Sequence, residues 1–454
     1  MRICAARNDK KILCNNGVGQ VIVVETNYYR WAWFLPLLPF MALAVMFLFF
    51  SHDIPYLDQW EFVPFLQKFY DDTLHLDDFW AQHNEHRILF PRMIMLGLAA
   101  CTHWNVYYEL AVNFLLGTGI FLLLIKPLSR TGGNAQWNVF LASLMLFSLG
   151  QWQNWFLGWQ LQVFLSLFTV ILSLLTLSRK KLNAAWFCLA ILASSVAMFS
   201  FANGMLVWPL GLILLWRTEN RIKWTSLWSA TAILLACVYF RGYQAPSYHP
   251  SISTSLHMPG NLIAYVFIYL GQPIVGFLGF GAVAAGAAGL MVWGILGYLT
   301  VREKEADDLL EFSVPPLFFV TLGLYAIASA VITAFARAGF GAEQALSSRY
   351  VTIANLFWIS ILALAGLRIQ QNIPAKRKIL MMACSIVIAL LVTGSSLYGA
   401  YRWTEHYHAH GMAREALLRG ESSEVLHFLY PDIPKLLERR EILVQHHLSI
   451  FNHH

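Results

Sequence analysis

The chain has 454 residues, of which 58% are hydrophobic and 12% charged, with a formal net charge of +6. Soluble domains carry about 25% charged residues, so half that share, together with 17 Trp and 32 Phe, excludes a soluble globular protein and leaves most of the surface facing lipid. The composition predicts an all-α, polytopic membrane protein. Its basic residues fall in short loops between apolar runs, which is the positive-inside pattern of a lipid-embedded chain and not a nucleic-acid footprint.

Residues 1–30 are polar and basic and read as a cytoplasmic, poorly ordered tail. Residues 31–50 (WAWFLPLLPFMALAVMFLFF) form a first outward span, since a bilayer core of about 30 Å needs roughly 20 apolar residues. No small-residue cleavage site follows, so the span reads as retained. Residues 51–105 are then an outer loop, where Phe62, Phe65, Leu66 and Phe69, and next Leu76, Phe79, Trp80 and His83, recur at helical spacing. Both sets predict amphipathic helices on the membrane face. Lys126 and Arg130 follow the span 106–125, and keeping them inside makes the apolar helix 88–103 interfacial.

Further spans are expected near 137–150, 159–178, 184–200, 204–216 and 224–240. Residues 259–301 read as two helices parted at Gly271-Gln272-Pro273, of which only 278–301 crosses. A mixed-charge segment, VREKEADDLLEF, precedes the spans 314–336, 350–367 and 379–399. The total is about eleven crossings, with the N-terminus inside and residues 400–454 outside as a tail of amphipathic helices. Residues 31–399 form the transmembrane domain. Four of the six cysteines sit in apolar stretches and two in the N-terminal tail, so no disulfide is expected.

Ionisable residues against a membrane are costly and therefore candidates for function. Asp53 and Asp58 follow the first span, where a carboxylate can take a proton from an acceptor hydroxyl or amine. Asp71, Asp72, Asp77 and Asp78 read more simply as a solvated face. The run His83-Asn84-Glu85-His86-Arg87, with Arg92 beyond it, brings guanidinium groups to head-group level, where arginine binds phosphate in a bidentate way. The plain alternative is snorkelling to lipid head-groups. Arg349-Tyr350 heads a late span and Arg337 shares its loop with Glu343; these arginines have the same two readings. In QWQNWFLGWQLQ the rings of Trp152, Trp155 and Trp159 stand beside Gln160 and Gln162, a combination suited to sugars as well as to an aromatic belt. The histidines lack metal-ligand spacing, so neither a metal nor another cofactor is expected, and a divalent ion gains no support.

This layout resembles the GT-C superfamily of polyprenyl-phosphate-dependent glycosyltransferases. Three features match in order: Asp58-Gln59-Trp60-Glu61 after the first span, His86-Arg87 then Pro91-Arg92 opening an interfacial helix, and Arg349-Tyr350 at a late span. A closer likeness is to bacterial membrane proteins of surface-polysaccharide gene clusters, through DxW, NEHR, FPR and the turn N-W-x-x-G-x-Q. The resemblance implies Asp58 as catalytic base, with Asp53 and Glu61 competing because Gln59 stands where a second acid is usual. It implies Arg87 and Arg349 as lipid-phosphate binders, with Tyr350, Arg92 and Arg337 beside them. Trp60, Glu85, His86, Trp155, Gln160 and Glu343 are then candidate substrate contacts. The expected partners are the lipid membrane, a polyprenyl-phosphate-linked sugar and a glycan or lipid acceptor, at a bacterial inner membrane. A transporter or flippase for a lipid-linked or anionic solute, or an O-antigen polymerase, is the alternative.

Overall fold

The computed structural model describes residues 4–6, 11–15, 21–25, 34–132, 135–179, 181–246, 250–279, 281–302, 316–370 and 374–452. Residues 31–33 of the first span and 303–312 of the mixed-charge segment lie outside these. The chain opens with an antiparallel meander, β1 (Cys4–Ala6), β2 (Lys11–Asn15) and β3 (Val21–Glu25), whose register pairs Cys4 with Cys14 and Lys11 with Glu25. These strands fall inside the stretch expected to be a poorly ordered tail, most of which lies outside the described residues. The run VIVVE is rich in the β-branched residues that favour strands.

From Leu37 onward the chain is almost wholly helical. Helix α1 (Leu37–Phe49) leads into a 3₁₀ turn, Leu57–Phe62, then α2 (Val63–Tyr70) and α3 (Leu76–Trp80). The helical periodicity extended to His83 is corrected here. Helix α3 stops at Trp80, and a two-stranded hairpin follows, β4 (Gln82–His83) and β5 (His86–Arg87). Its turn needs a left-handed residue, and Asn84 takes φ +50°, a conformation asparagine tolerates well. Helices α4 (Leu89–Thr102) and α5 (Val106–Leu128) meet at His103 and Trp104, both at φ 52°. Asn105 caps α5 by accepting from the Tyr107 amide.

Next come α6 (Ala135–Leu146), α7 (Trp152–Phe156), α8 (Leu161–Leu177), α9 (Ala184–Met198), α10 (Val207–Leu215) and α11 (Arg221–Phe240). Helices α12 (Ile252–Leu256), α13 (Pro259–Val275) and α14 (Gly281–Arg302) follow. The break expected at Gly271-Gln272-Pro273 does not occur: α13 continues through Pro273. Gly271 serves close packing instead, because a Cβ there would collide with the Ala282 carbonyl of α14. The last helices are α15 (Pro316–Arg337), α16 (Val351–Gln370), α17 (Ala375–Arg419) and α18 (Ile433–Gln445).

Among the described residues, eight helices are long and apolar enough to cross a membrane, and four shorter apolar helices join them. The protein is thus an all-α, multi-pass membrane protein. Helix α13 together with the 3₁₀ turn after it, Pro259–Leu278, meets the length and hydropathy of a span, although only its neighbour α14 was expected to cross.

Helix α17 has 45 residues, or roughly 68 Å at 1.5 Å per residue, about twice a bilayer core. The boundary expected at 399/400 falls inside it. Its last turns carry Ala413, Ala416 and Leu417 into a second apolar cluster with Trp60, Phe62 and Leu66 of the first loop and Leu436 and Leu443 of α18. The first loop and the C-terminal tail, far apart in sequence, therefore build one cap on the helix bundle. The tail's leucine spacing was legible as amphipathic; its partner was not.

Candidate functional site

A cavity of about 830 Å³ lies where the cap meets the bundle. The 3₁₀ turn contributes Leu57, Asp58 and Glu61, and the hairpin contributes Gln82 to His86. The start of α8 supplies Gln160, Gln162 and Val163. Residues Phe201–Asn203 follow α9, while Tyr269, Thr333, Arg337, Arg349 and Tyr350 come from α13, α15 and the head of α16. The tail closes the wall with Tyr430, Asp432 and Lys435.

Asp58 is half-buried. Among the described residues its carboxylate forms no hydrogen bond and no ion pair. Its turn is locked from behind. Gln59 accepts from the Tyr56 amide (3.2 Å) and donates to the fully buried Glu109 (2.7 Å), which also accepts from Trp104 Nε1 (2.8 Å). Gly158 lets this cluster close, because a Cβ there would strike Glu109 Oε2 and Gln59 Nε2. Gln59 thus faces inward, which gives it a structural task at the position where the resemblance expects a second acid. The charge of Asp58 reaches His83, whose imidazole burial nevertheless holds below its ordinary range.

The other two acids of the trio are engaged. Asp53 accepts from the Val106 amide at the head of α5 (2.8 Å) and from Ser449 Oγ (3.3 Å). Glu61 accepts both arms of Arg439 (3.0 and 2.8 Å), Lys435 Nζ (3.4 Å) and the Tyr430 hydroxyl. Burial would raise its carboxyl, but the bonds from Arg439 and Tyr430 outweigh that and pull it down to about 2. A carboxylate held that strongly is a poor base. Of the three competing acids, the geometry leaves Asp58 available.

The arginines divide in the same way. Arg87 is 3% exposed and does not line the cavity. Its guanidinium donates to the carbonyls of Tyr239 (2.5 Å), Trp80 (2.7 Å) and Arg241 (2.5 Å) and lies over the Trp80 ring. Arg92, also buried and outside the cavity, donates to the carbonyls of Phe79 and Ala81. These two assignments are corrected: both guanidiniums satisfy backbone oxygens that the turns after α3 and α11 leave without helical partners. Arg337 does line the cavity, but it pairs with Glu85 (2.5 Å). Burial would raise the Glu85 carboxyl; the His86 and Arg337 charges outweigh it and bring it to about 2.

Arg349 is different. Among the described residues it forms no ion pair, and its side chain makes one long hydrogen bond, to Ser347 Oγ (3.4 Å). Its charge reaches Tyr56, two residues from Asp58. The backbone around it is clamped by the segment Gln151–Asn154. Asn154 Nδ2 donates to the Arg349 carbonyl (2.9 Å) and to Thr352 Oγ1 (2.5 Å), which in turn donates to Gln151 Oε1 (2.5 Å). Gln153 accepts from Ser348 Oγ (2.8 Å). The Tyr350 hydroxyl exchanges hydrogen bonds with Gln344, and its ring stacks on Tyr269 at 5.1 Å.

Gln160, Glu85 and His86 face the cavity as expected, and His86 Nδ1 accepts from the Ala202 amide (3.2 Å). Three other expected contacts lie elsewhere. Trp60 is wholly buried in the cap cluster. Trp155 packs against Phe164 at 4.6 Å, with its Nε1 on the Ser148 carbonyl. Glu343 is exposed and outside the lining. Large aromatics bury more favourably in a core than beside a wet cavity, and nothing in the Trp pattern distinguishes the two. The tail residues Tyr430, Asp432 and Lys435 were missed, since their place depends on contacts some 370 residues apart. Comparison with family models, curated proteins and solved structures finds no match for this chain.

Proposed function

We propose that this protein is an integral membrane glycosyltransferase that moves a sugar from a polyprenyl-phosphate carrier to a glycan or lipid acceptor. The observation that carries this reading is that one cavity between bundle and cap is lined both by a carboxylate, Asp58, with no hydrogen bond or ion pair among the described residues, and by a guanidinium, Arg349, held only by one long hydrogen bond to Ser347 Oγ. Such a cavity has membrane helices on one wall for an apolar chain and polar loops on the other for a head-group.

In this mechanism Asp58 takes the proton of the acceptor hydroxyl as its oxygen attacks the anomeric carbon. The bond from that carbon to the phosphate oxygen breaks with inversion, and its electron pair stays on the phosphate. Arg349 stabilises the charge developing there, an electrostatic role that a clamped backbone pre-organises. Glu85–Arg337 and Glu61–Arg439 hold the walls. The same reading places the cap on the periplasmic side of a bacterial inner membrane, with about eleven crossings, the N-terminus cytoplasmic and the C-terminus periplasmic. The basic loops after 125, 178, 216 and 368 support that orientation.

The test is transfer of a labelled sugar from polyprenyl phosphate by purified protein in liposomes. Asp58→Asn lowers turnover by about 100-fold or more with unchanged melting temperature. Wild-type turnover in that variant removes Asp58 from the role of base.

A further inference from the structure

Three carboxamides that line the cavity form no side-chain hydrogen bond among the described residues. Gln160, Gln162 and Asn203 are 4%, 6% and 6% exposed, and all three line the cavity. Among the described residues none of their side chains makes a hydrogen bond, and Gln162 Oε1 is sealed from solvent. The neighbouring amides Gln59, Gln82, Gln151, Gln153 and Asn154 each form at least one side-chain bond to a protein group, although Asn154 Oδ1 is also sealed without a partner. A buried polar group left unsatisfied costs about 1–3 kcal/mol; Gln162 Oε1 meets that description, and the remaining amide atoms open onto the cavity, where a bound polar ligand can pair with them.

Their chemistry narrows what that is. A carboxamide offers both donors and an acceptor, and so does a hydroxyl; a phosphate only accepts and an ammonium only donates. The charged groups around them are allotted. Glu85 pairs with Arg337, and Glu61 with Arg439 and Lys435. Asp432 caps α18 by accepting from the Lys435 amide. That leaves Asp58 and Arg349, which the proposed mechanism uses for the proton and the phosphate. The amides share the cavity with Arg349, whose backbone is held by Asn154 in the segment just before Gln160.

We infer that Gln160, Gln162 and Asn203 bind the hydroxyls of the donor sugar, and that this sugar is uncharged: a hexose or similar polyol, not a uronic acid or an amino sugar. The inference rests on the carrier reading above. Its test measures equilibrium binding of three radiolabelled lipids to protein in nanodiscs: bare polyprenyl phosphate, its glucosyl ester and its galacturonosyl ester. Wild-type protein binds the glucosyl lipid more tightly than either other. Gln162→Leu and Asn203→Leu, each checked by melting temperature, weaken the glucosyl lipid about ten-fold, the loss of one or two buried hydrogen bonds, and leave bare polyprenyl phosphate within two-fold. Equal weakening of both lipids, unaltered glucosyl binding in both variants, or galacturonosyl binding as tight as glucosyl overturns the sugar assignment while the carrier reading stands. Wild-type protein that binds none of the three overturns the carrier reading and this inference with it.

Discussion

Arg87 and Arg349 look alike in sequence, each next to an apolar helix and each with an aromatic or histidine neighbour, yet they sit in opposite circumstances. Arg87 has three backbone carbonyls around its guanidinium and an indole beneath it. Arg349 has its backbone clamped and its guanidinium nearly bare. The same split separates Asp53 and Glu61, which cap a helix and dock the tail, from Asp58, which does neither. Residue type and membrane proximity do not tell a functional charge from a structural one. What each charge already binds separates those the fold has engaged from those it leaves available.

This contrast can be broken experimentally, beginning with its largest expected effect. Arg349→Ala lowers sugar transfer by about 10²–10³, the range for removing one donor to a developing oxyanion, with little change in melting temperature. Arg87→Ala acts on stability: three carbonyls lose their donor at about 1 kcal/mol each, so unfolding free energy in detergent falls by about 3 kcal/mol. Arg87→Lys recovers only part of that, because a single ammonium lacks the planar fork. Gly158→Ala forces Glu109 and Gln59 apart and is expected to cost about 1–3 kcal/mol, the usual range for overpacking, read as a lower melting temperature.

The Glu61 latch adds a pH dependence. Its carboxyl is held at about 2, below the ordinary value of 4.5, so its contribution is complete above that value and is lost as pH falls from it towards 2. Hydrogen exchange in α18 should rise across that window and stay flat in Glu61→Gln. The smallest effect belongs to Glu343→Ala, which is exposed and shifts stability by no more than about 0.5 kcal/mol, with transfer unchanged.

Much of the fold was legible because lipid imposes it. Runs such as 106–125 and 350–367 carry length, hydropathy and flanking charge together, and each became a helix close to its expected bounds. The amphipathic leucines of the tail were readable too. Short elements were not. His83 follows the spacing of α3, but Asn84 turns the chain into a hairpin, and a single left-handed residue leaves no periodic signal. That Asp58 and Arg349 are left available while Glu61 and Arg87 are engaged was unreadable for another reason. Whether a charge is engaged depends on carbonyls such as Tyr239 and side chains such as Arg439, hundreds of residues distant. The first loop was recognisable as part of the candidate site; that the tail joins it in the cap and closes the cavity wall was not.

The most direct test measures melting temperature and sugar transfer for Arg349→Ala and Arg87→Ala side by side. The account predicts a crossed result, with Arg349→Ala folded and inactive and Arg87→Ala destabilised, its folded fraction still active. An Arg87→Ala protein of normal stability that transfers no sugar, beside an active Arg349→Ala, would contradict it.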